Sequence, residues 1–203
     1  VANDHFSGVL QIFVKNRQSG KVKTRLAAVI GNDEALKVYE QLLFVLKKNL
    51  KEQPLALQIY YSDFKEVDDS WDANQVEYHV QRGEDLGERI THAMSEGTNH
   101  FDFVILIGSD CPEIHTSDIY SCIDLLDKND VVIGPSLDGG YYLIACKGYF
   151  PELFRGIPWS TTSVFEETVK KVKQSGLTLD VLPEKRDLDE YTDYQYFKEN
   201  RIL

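Results

Sequence analysis

Apolar residues in this chain fall in short unbroken runs, separated by longer stretches in which they recur every three or four positions. The runs Val9–Val14, Leu55–Tyr61, Val76–Gln81, Phe103–Ile107, Asp130–Gly134, Tyr141–Cys146 and Leu177–Leu182 read as strands. Between them, Asn32–Glu52 places Leu36, Tyr39, Leu42, Leu43, Leu46 and Leu50 at helical spacing, with Asn32 as the expected N-cap and Asp33 and Glu34 in the first turn. The same spacing predicts a helix carrying Ile90, Ala93 and Met94, and one over Thr116–Leu126 opened by Thr116 or Ser117. A further helix starts at an N-cap Ser160 or Thr161 and runs to about Gln174, where Gly176 ends it, and a last one covers Glu190–Asn200. Tyr149–Gly156 reads as a short helical turn. The turn Pro135–Gly140 carries Asp138-Gly139-Gly140 between two β-rich runs, a hairpin signal. Strands alternating with helices, then one hairpin, predict an α/β protein with a mixed, mostly parallel sheet.

The stretch Phe103–Pro112, FVILIGSDCP, organises the rest. Five apolar residues run without a break into Gly108, Ser109 and Asp110. Such a run is the pattern of a strand buried on both faces, most often the centre of a parallel sheet. Ligands of open α/β sheets bind outside the carboxyl ends of such strands, and Asp110 emerges there. Taken alone, Asp110 has two readings: a carboxylate that holds a divalent cation and, through it, a phosphate, or a cap or Asx-turn residue ahead of the next helix.

The first strand runs into a loop that holds Lys15, Arg17, Lys21, Lys23 and Arg25, Gly20, and no acid. The chain as a whole is acidic, with 33 Asp and Glu against 22 Lys and Arg and a net charge of −11 over 203 residues. That balance argues against general nucleic-acid or anionic-membrane binding. It does not argue against a small anionic ligand where bases cluster locally. A basic, glycine-containing loop after a first strand suits a nucleoside di- or triphosphate, while a solvated loop is the commoner fate of a charge run. Its spacing matches neither a Walker loop nor the dinucleotide fingerprint.

Near the carboxyl end, Asp187 and Asp189 follow the last strand; Leu188 between them should point the other way, so both acids can face one side. Asp189 has a second reading as the cap of the final helix. Length fits one domain over residues 1–203. Apolar runs are far short of a membrane span, and Val1–Gly8 lacks the apolar segment of a signal peptide. Cys111, Cys122 and Cys146 have no metal-type spacing and read as reduced thiols of a cytoplasmic protein. The histidines His5, His79, His92, His100 and His115 show no ligand spacing, and Asp68, Asp69 and Asp72 read as a solvated surface.

Several separated segments together resemble one family: FVKNRQSGKVKTRL (Phe13–Leu26), QRGEDLGERI (Gln81–Ile90), LIGSDCPEI (Leu106–Ile114), GPSLDGGYYLI (Gly134–Ile144), GIPWSTTSV (Gly156–Val164) and RDLDEYTD (Arg186–Asp193). They resemble the bacterial glycosyltransferase-A-like proteins once grouped as a domain of unknown function. These are also described as radical-SAM/selenodomain-associated transferases, some assigned to arsenosugar biosynthesis, with a more distant similarity to 2-phospholactate guanylyltransferase. Arg17 stands where the family's loop is expected to carry proline.

The resemblance implies a single glycosyltransferase-A fold, that of nucleotide-diphospho-sugar transferases: a Rossmann-like, three-layer domain. Lys15, Lys21, Lys23 and Arg25 would bind the donor's phosphates, with Lys23 and Arg25 also assisting transfer. Gln81, Gly83 and Gly87 would lie near the base, and Asp110 would bind a metal, Mg²⁺ or Mn²⁺, with Asp187 or Asp189 as the second contact. Asp138, Gly139, Gly140 and Trp159 would lie on the acceptor or sugar side. The expected reaction moves a sugar from a nucleotide-sugar to a small-molecule acceptor. Two alternatives stand beside it: nucleotidyl transfer from an NTP to a phosphorylated small molecule, releasing pyrophosphate, and a nucleotide-binding protein without turnover.

Overall fold

The computed structural model describes residues 7–66, 69, 71 and 76–203. His5, Asp68 and Asp72 lie outside the described residues. Seven strands form one sheet: β1 (Gly8–Val14), β2 (Ala56–Tyr61), β3 (Val76–Val80), β4 (Phe103–Gly108), β5 (Val131–Pro135), β6 (Tyr141–Cys146) and β7 (Leu179–Val181). Their spatial order is β3-β2-β1-β4-β6-β5-β7. β4 is therefore the middle strand, and Phe103–Ile107 is buried throughout, as its unbroken apolar run predicts. β1 pairs in parallel with both β2 and β4; β6 is antiparallel to both of its neighbours, β4 and β5, and so carries the predicted hairpin.

The pleat divides the strands between two cores. Leu10, Ile12, Ile105 and Ile107 pack under the helices α1 (Thr24–Ile30), α2 (Asn32–Asn49), α4 (Thr116–Leu126) and α6 (Tyr191–Glu199). Val9, Phe13, Val104 and Leu106 pack under α3 (Leu86–Thr98) and α5 (Val164–Gln174). Two layers of helix around a mixed, mostly parallel sheet make an α/β three-layer fold. The carboxyl ends of β1, β2, β3 and β4 lie on one edge of the sheet, and the loops that leave them build the site.

Several local expectations change. The basic loop ends before Arg25: Thr24–Ile30 is a short helix that buries Leu26 and Ala27. Gly31, at φ 88°, ends α1 and starts α2, so Asn32 is the first helical residue rather than its cap. A left-handed joint between two helices favours glycine. His115 and Glu190 cap α4 and α6, each in a capping box with Asp118 or Asp193, in place of Thr116, Ser117 or Asp189. α5 begins only at Val164, because Ser160–Thr162 stays in a loop that packs on Gly139, where Phe165 N–H donates to Gly139 O at 2.9 Å. The last strand contracts to Leu179–Val181, and the turn after β6 is a 3-10 segment, Pro151–Leu153.

Asp69 is not solvated. It is 6% exposed, ion-paired to Lys47, and accepts from Tyr61 Oη at 2.6 Å and Trp71 Nε1 at 3.1 Å.

Candidate functional site

A cleft of about 770 Å³ opens outside the carboxyl ends of β1 and β4. One wall comes from the start of the β1 loop, α3 and the loop after β2: Phe13, Lys15, Arg25, Ser62, Gln81, Leu86 and Arg89. The floor is Ser109, Asp110 and Cys111. The other wall is the β5–β6 turn and the loop before α5, with Leu137, Asp138, Tyr141 and Trp159, closed by Asp187 and Asp189.

The β1 loop is held from three sides. Tyr39 of α2 accepts from Lys15 N–H at 2.9 Å, donates to Lys15 O at 3.0 Å, and reaches Ser109 Oγ at 3.2 Å. Asn16, 2% exposed, accepts from the Asp63 and Phe64 amides at 2.9 and 3.2 Å and donates to Phe64 O at 2.8 Å. Arg17, the residue in the expected proline position, pairs with Glu66 at 2.5 Å.

Lys23 sits in the left-handed region at φ 48°, and its side chain is 3% exposed. Its ammonium does not face the cleft. It donates to Asp110 Oδ1 at 2.6 Å and to Leu188 O at 2.5 Å. Leu188 N–H in turn donates to Asp110 O at 2.9 Å. One lysine therefore ties the first loop, the end of the central strand and the 186–189 segment together. Arg25 pairs with Asp189 at 3.1 Å, both side chains being well exposed. Lys21 is exposed on the preceding turn and does not line the cleft.

Burial works against ionisation of Asp110, but the Lys23 ammonium outweighs it and holds the carboxyl below its ordinary range. Asp187 has no such partner. Burial, then the nearby charges of Asp110 and Asp138, push its carboxyl up to about 7. Asp187 Oδ1 is buried with no hydrogen-bond partner. Asp189 is also raised, by burial and Asp110 against the pull of Lys23 and Arg25. Leu188 between them is fully buried, as the extended reading requires. Burial raises the Cys111 thiol strongly, so it is not a poised nucleophile.

Among the described residues, no three acidic, histidine or cysteine side chains form a ready cation cage. Asp110 and Asp187 both line the cleft, the charge of Asp110 is felt at Asp187, and Asp187 Oδ1 lacks a partner. Hard divalent ions take oxygen donors, and magnesium commonly uses one or two carboxylates plus substrate phosphates. The residues present fit that shared arrangement. Asp189, held by Arg25, is the outer member of the group.

The remaining candidates divide. Gln81 lines the cleft and donates to Tyr60 O at 3.0 Å. Gly83 and Gly87 do not line it. Gly87 lets α3 approach closely, since a Cβ there would meet Trp159 Nε1 at 2.7 Å and Phe154 O at 2.6 Å. Asp138, Gly140 and Trp159 border the cleft, whereas Gly139, at φ 88°, is packed beneath Thr162. Sequence reasoning missed Tyr39, which looks like any core position of an amphipathic helix. It also missed Arg89 and Leu86, whose signal was their place at the start of a helix directly after a strand end.

No helix among the described residues is long and apolar enough to cross a membrane. No curated protein matches the chain. A crystal structure from Desulfovibrio desulfuricans, of a protein assigned as a nucleotide-diphospho-sugar transferase, is similar at 33% identity, covers 97% of this chain and 88% of that chain, and has a TM-score of 0.87. CMP:2-keto-3-deoxy-manno-octonic acid synthetase complexed with CTP covers 96% of this chain and 98% of that chain at 13% identity, with a TM-score of 0.53. Rv0371c from Mycobacterium tuberculosis in complex with manganese gives the same coverage, identity and TM-score. At that identity the last two share the fold alone. A family model also matches residues 45–161, more than half of the sequence. The chain therefore belongs to the family described as "Uncharacterized protein conserved in bacteria (DUF2064)".

Proposed function

We propose that the chain is one glycosyltransferase-A-like unit over residues 1–203, acting in the cytoplasm, that transfers a sugar from a nucleotide-sugar to a small acceptor with the help of Mg²⁺ or Mn²⁺. The observation that carries this reading is the polarity of the cleft floor. Lys15 and Arg25 stand on one side of a carboxylate pair, Asp110 and Asp187, at the carboxyl end of the central strand. Anionic diphosphate and carboxylates coexist at such a place only when a cation lies between them.

In this reading Lys15 and Arg25 bind diphosphate oxygens, and their fixed charge stabilises the leaving phosphate. Lys23 keeps Asp110 ionised and oriented from behind instead of touching the nucleotide. Asp110 and Asp187 would hold the divalent ion, which would supply charge neutralisation at the diphosphate. Gln81, Leu86 and Arg89 flank the nucleoside. Trp159 and Leu137 exclude water from the transferred group.

The test is a thermal-shift panel of nucleotides and nucleotide-sugars with Mg²⁺, Mn²⁺ or EDTA. A ligand at a hundred times its dissociation constant stabilises by roughly 2.7 kcal/mol. The expected result is a metal-dependent shift with a nucleotide-sugar, lost in Asp110→Asn while that variant stays folded. A shift unchanged in Asp110→Asn would sink the site assignment. The fold shared with a CTP-bound synthetase keeps nucleotidyl transfer as the second reading. A shift by NTPs alone, with pyrophosphate released on turnover, would put it first.

A further inference from the structure

The two walls of the cleft differ in charge. Lys15, Arg25 and Arg89 all belong to the wall built before residue 90. On the opposite wall, the residues from 136 to 164 that line the cleft include one charged side chain, Asp138, and no base. Arg186 lines the cleft beside that wall, but its guanidinium is paired with Asp193 at 2.9 Å and lies over the Tyr196 ring at 4.7 Å. A second phosphate or carboxylate placed against this wall would meet Asp138, and the one base lining the cleft beside it already has a carboxylate partner.

What this wall does offer is hydroxyls and aromatic surface. Trp159 and Tyr141 meet edge to face at 6.3 Å and 78°. The Trp159 ring is fixed from behind by Gly87, so its place does not depend on a ligand. Ser160, Thr161 and Thr162 follow it, and Ser160 is held at φ 64°, a strained conformation for a residue with a side chain. Leu137, 52% exposed, adds an apolar ridge. Asp138 Oδ1 is occupied by Ser136 Oγ–H at 2.5 Å and Gly140 N–H at 2.9 Å, which fixes the carboxylate on its turn. Its other oxygen receives no hydrogen bond among the described residues, and the residue is exposed to the cleft.

We propose that this wall is an acceptor subsite for a neutral or cationic polyhydroxyl compound rather than a phosphorylated or carboxylated one, and that Asp138 takes the proton of the attacking hydroxyl. This rests on the glycosyl-transfer reading above and adds the acceptor's chemical class to it. The step balances. The acceptor O–H proton passes to the Asp138 carboxylate, the acceptor oxygen bonds to the donor's anomeric carbon, and that carbon's bond to the diphosphate oxygen breaks with its electron pair leaving on the diphosphate. The aromatic pair packs on the C–H faces of the polyol, and the Ser160–Thr162 hydroxyls meet its OH groups.

The experiment uses the donor and metal that shift the wild-type protein. A bacterial small-molecule extract is split on an anion exchanger into a neutral-and-cationic flow-through and an anionic eluate. Each fraction is added to protein, donor and metal, and release of nucleoside diphosphate is followed. Stimulation by the flow-through is expected; stimulation confined to the eluate overturns the proposal. Asp138→Asn keeps an oxygen for Ser136 and Gly140 but accepts no proton. With its donor shift intact, it should lose about 10²–10⁴ in kcat and the acid limb of the pH profile, as for a missing general base. Wild-type kcat and an unchanged profile in Asp138→Asn would overturn the role of Asp138. The donor shift, read separately, reports on the parent reading: its absence in wild type counts against nucleotide binding, not against the acceptor class.

Discussion

Asp69 and Asp187 each carry a buried carboxylate oxygen, and the chain treats them in opposite ways. Asp69 is enclosed by Lys47, Tyr61 and Trp71, and every one of those contacts favours its ionised form. Burial opposes ionisation there too, yet the carboxyl ends below its ordinary range. Asp187 is surrounded by like charge and a thiol, keeps a buried oxygen without a partner, and is raised to about 7. Both oxygens of one acid are paired as folded, and the other keeps one buried oxygen unpaired. Burial of a polar group without its partner is costly, so the two acids should answer differently to substitution.

The largest effect should come from breaking the complete acid. Asp69→Ala strips Lys47 of its counter-charge and leaves the buried Tyr61 and Trp71 donors unpaired, which should cost roughly 3–5 kcal/mol in denaturant unfolding. A loss under 1 kcal/mol would dissolve the contrast. Because the Asp69 pKa is lowered in the fold, its contribution is present above the unfolded pKa near 4 and fades as pH falls through the folded value.

The same linkage with the opposite sign predicts the next effect. Asp187 is raised in the fold, so the ligand-free protein bears no cost from it below pH 4. It loses stability as pH climbs from 4 through about 7. Asp187→Asn removes that slope and should stabilise the ligand-free protein at pH 8, by at most about 4 kcal/mol, with no gain at pH 4. Equal destabilisation at both pH values would show that Asp187 is structural after all.

Adding ligand should then reverse the ranking of the two. With a nucleotide-sugar and Mg²⁺ at a hundred times the dissociation constant, wild type should gain about 2.7 kcal/mol. Asp187→Asn should gain nothing, and Asp69→Ala, measured at a temperature where it is folded, should gain as much as wild type. The smallest effect belongs to Arg25→Ala. Its exposed pair with Asp189 should contribute less than about 1 kcal/mol to stability, while nucleotide affinity measured by calorimetry falls.

Much of the fold was legible because it is written in local periodicity. The unbroken apolar run at Phe103–Ile107 located the central strand, and Thr116–Leu126 and Tyr141–Cys146 match their elements end to end. What failed was information carried by distant partners. Asp69 sits among other acids in sequence, and its pairing with Lys47 and Tyr61 is visible only in space. Lys23 sits among bases, and nothing local shows that its side chain turns inward to Asp110. α1 was hidden because the basic side chains of its approach outweigh the two residues, Leu26 and Ala27, that it buries. The caps His115 and Glu190 carried a readable signal, an Asp three residues on, but Thr116, Ser117 and Asp189 are the commoner cap types.

The tie from Lys23 to Leu188 also sets when the site can exist. Synthesis delivers the basic loop before Asp110, and Asp187 and the Leu188 carbonyl that receives Lys23 after both. A nascent chain that has completed β1 to β4 has its sheet centre and no finished site. It holds Asp110 and Lys23 without the segment that fixes both. Residues 185–189 dock through Lys185 on Glu113 O at 2.8 Å and Leu188 N–H on Asp110 O at 2.9 Å. A chain cut short before Asp187 can form much of the sheet but cannot bring Asp187 to Asp110 or close the tie from Lys23 to Leu188.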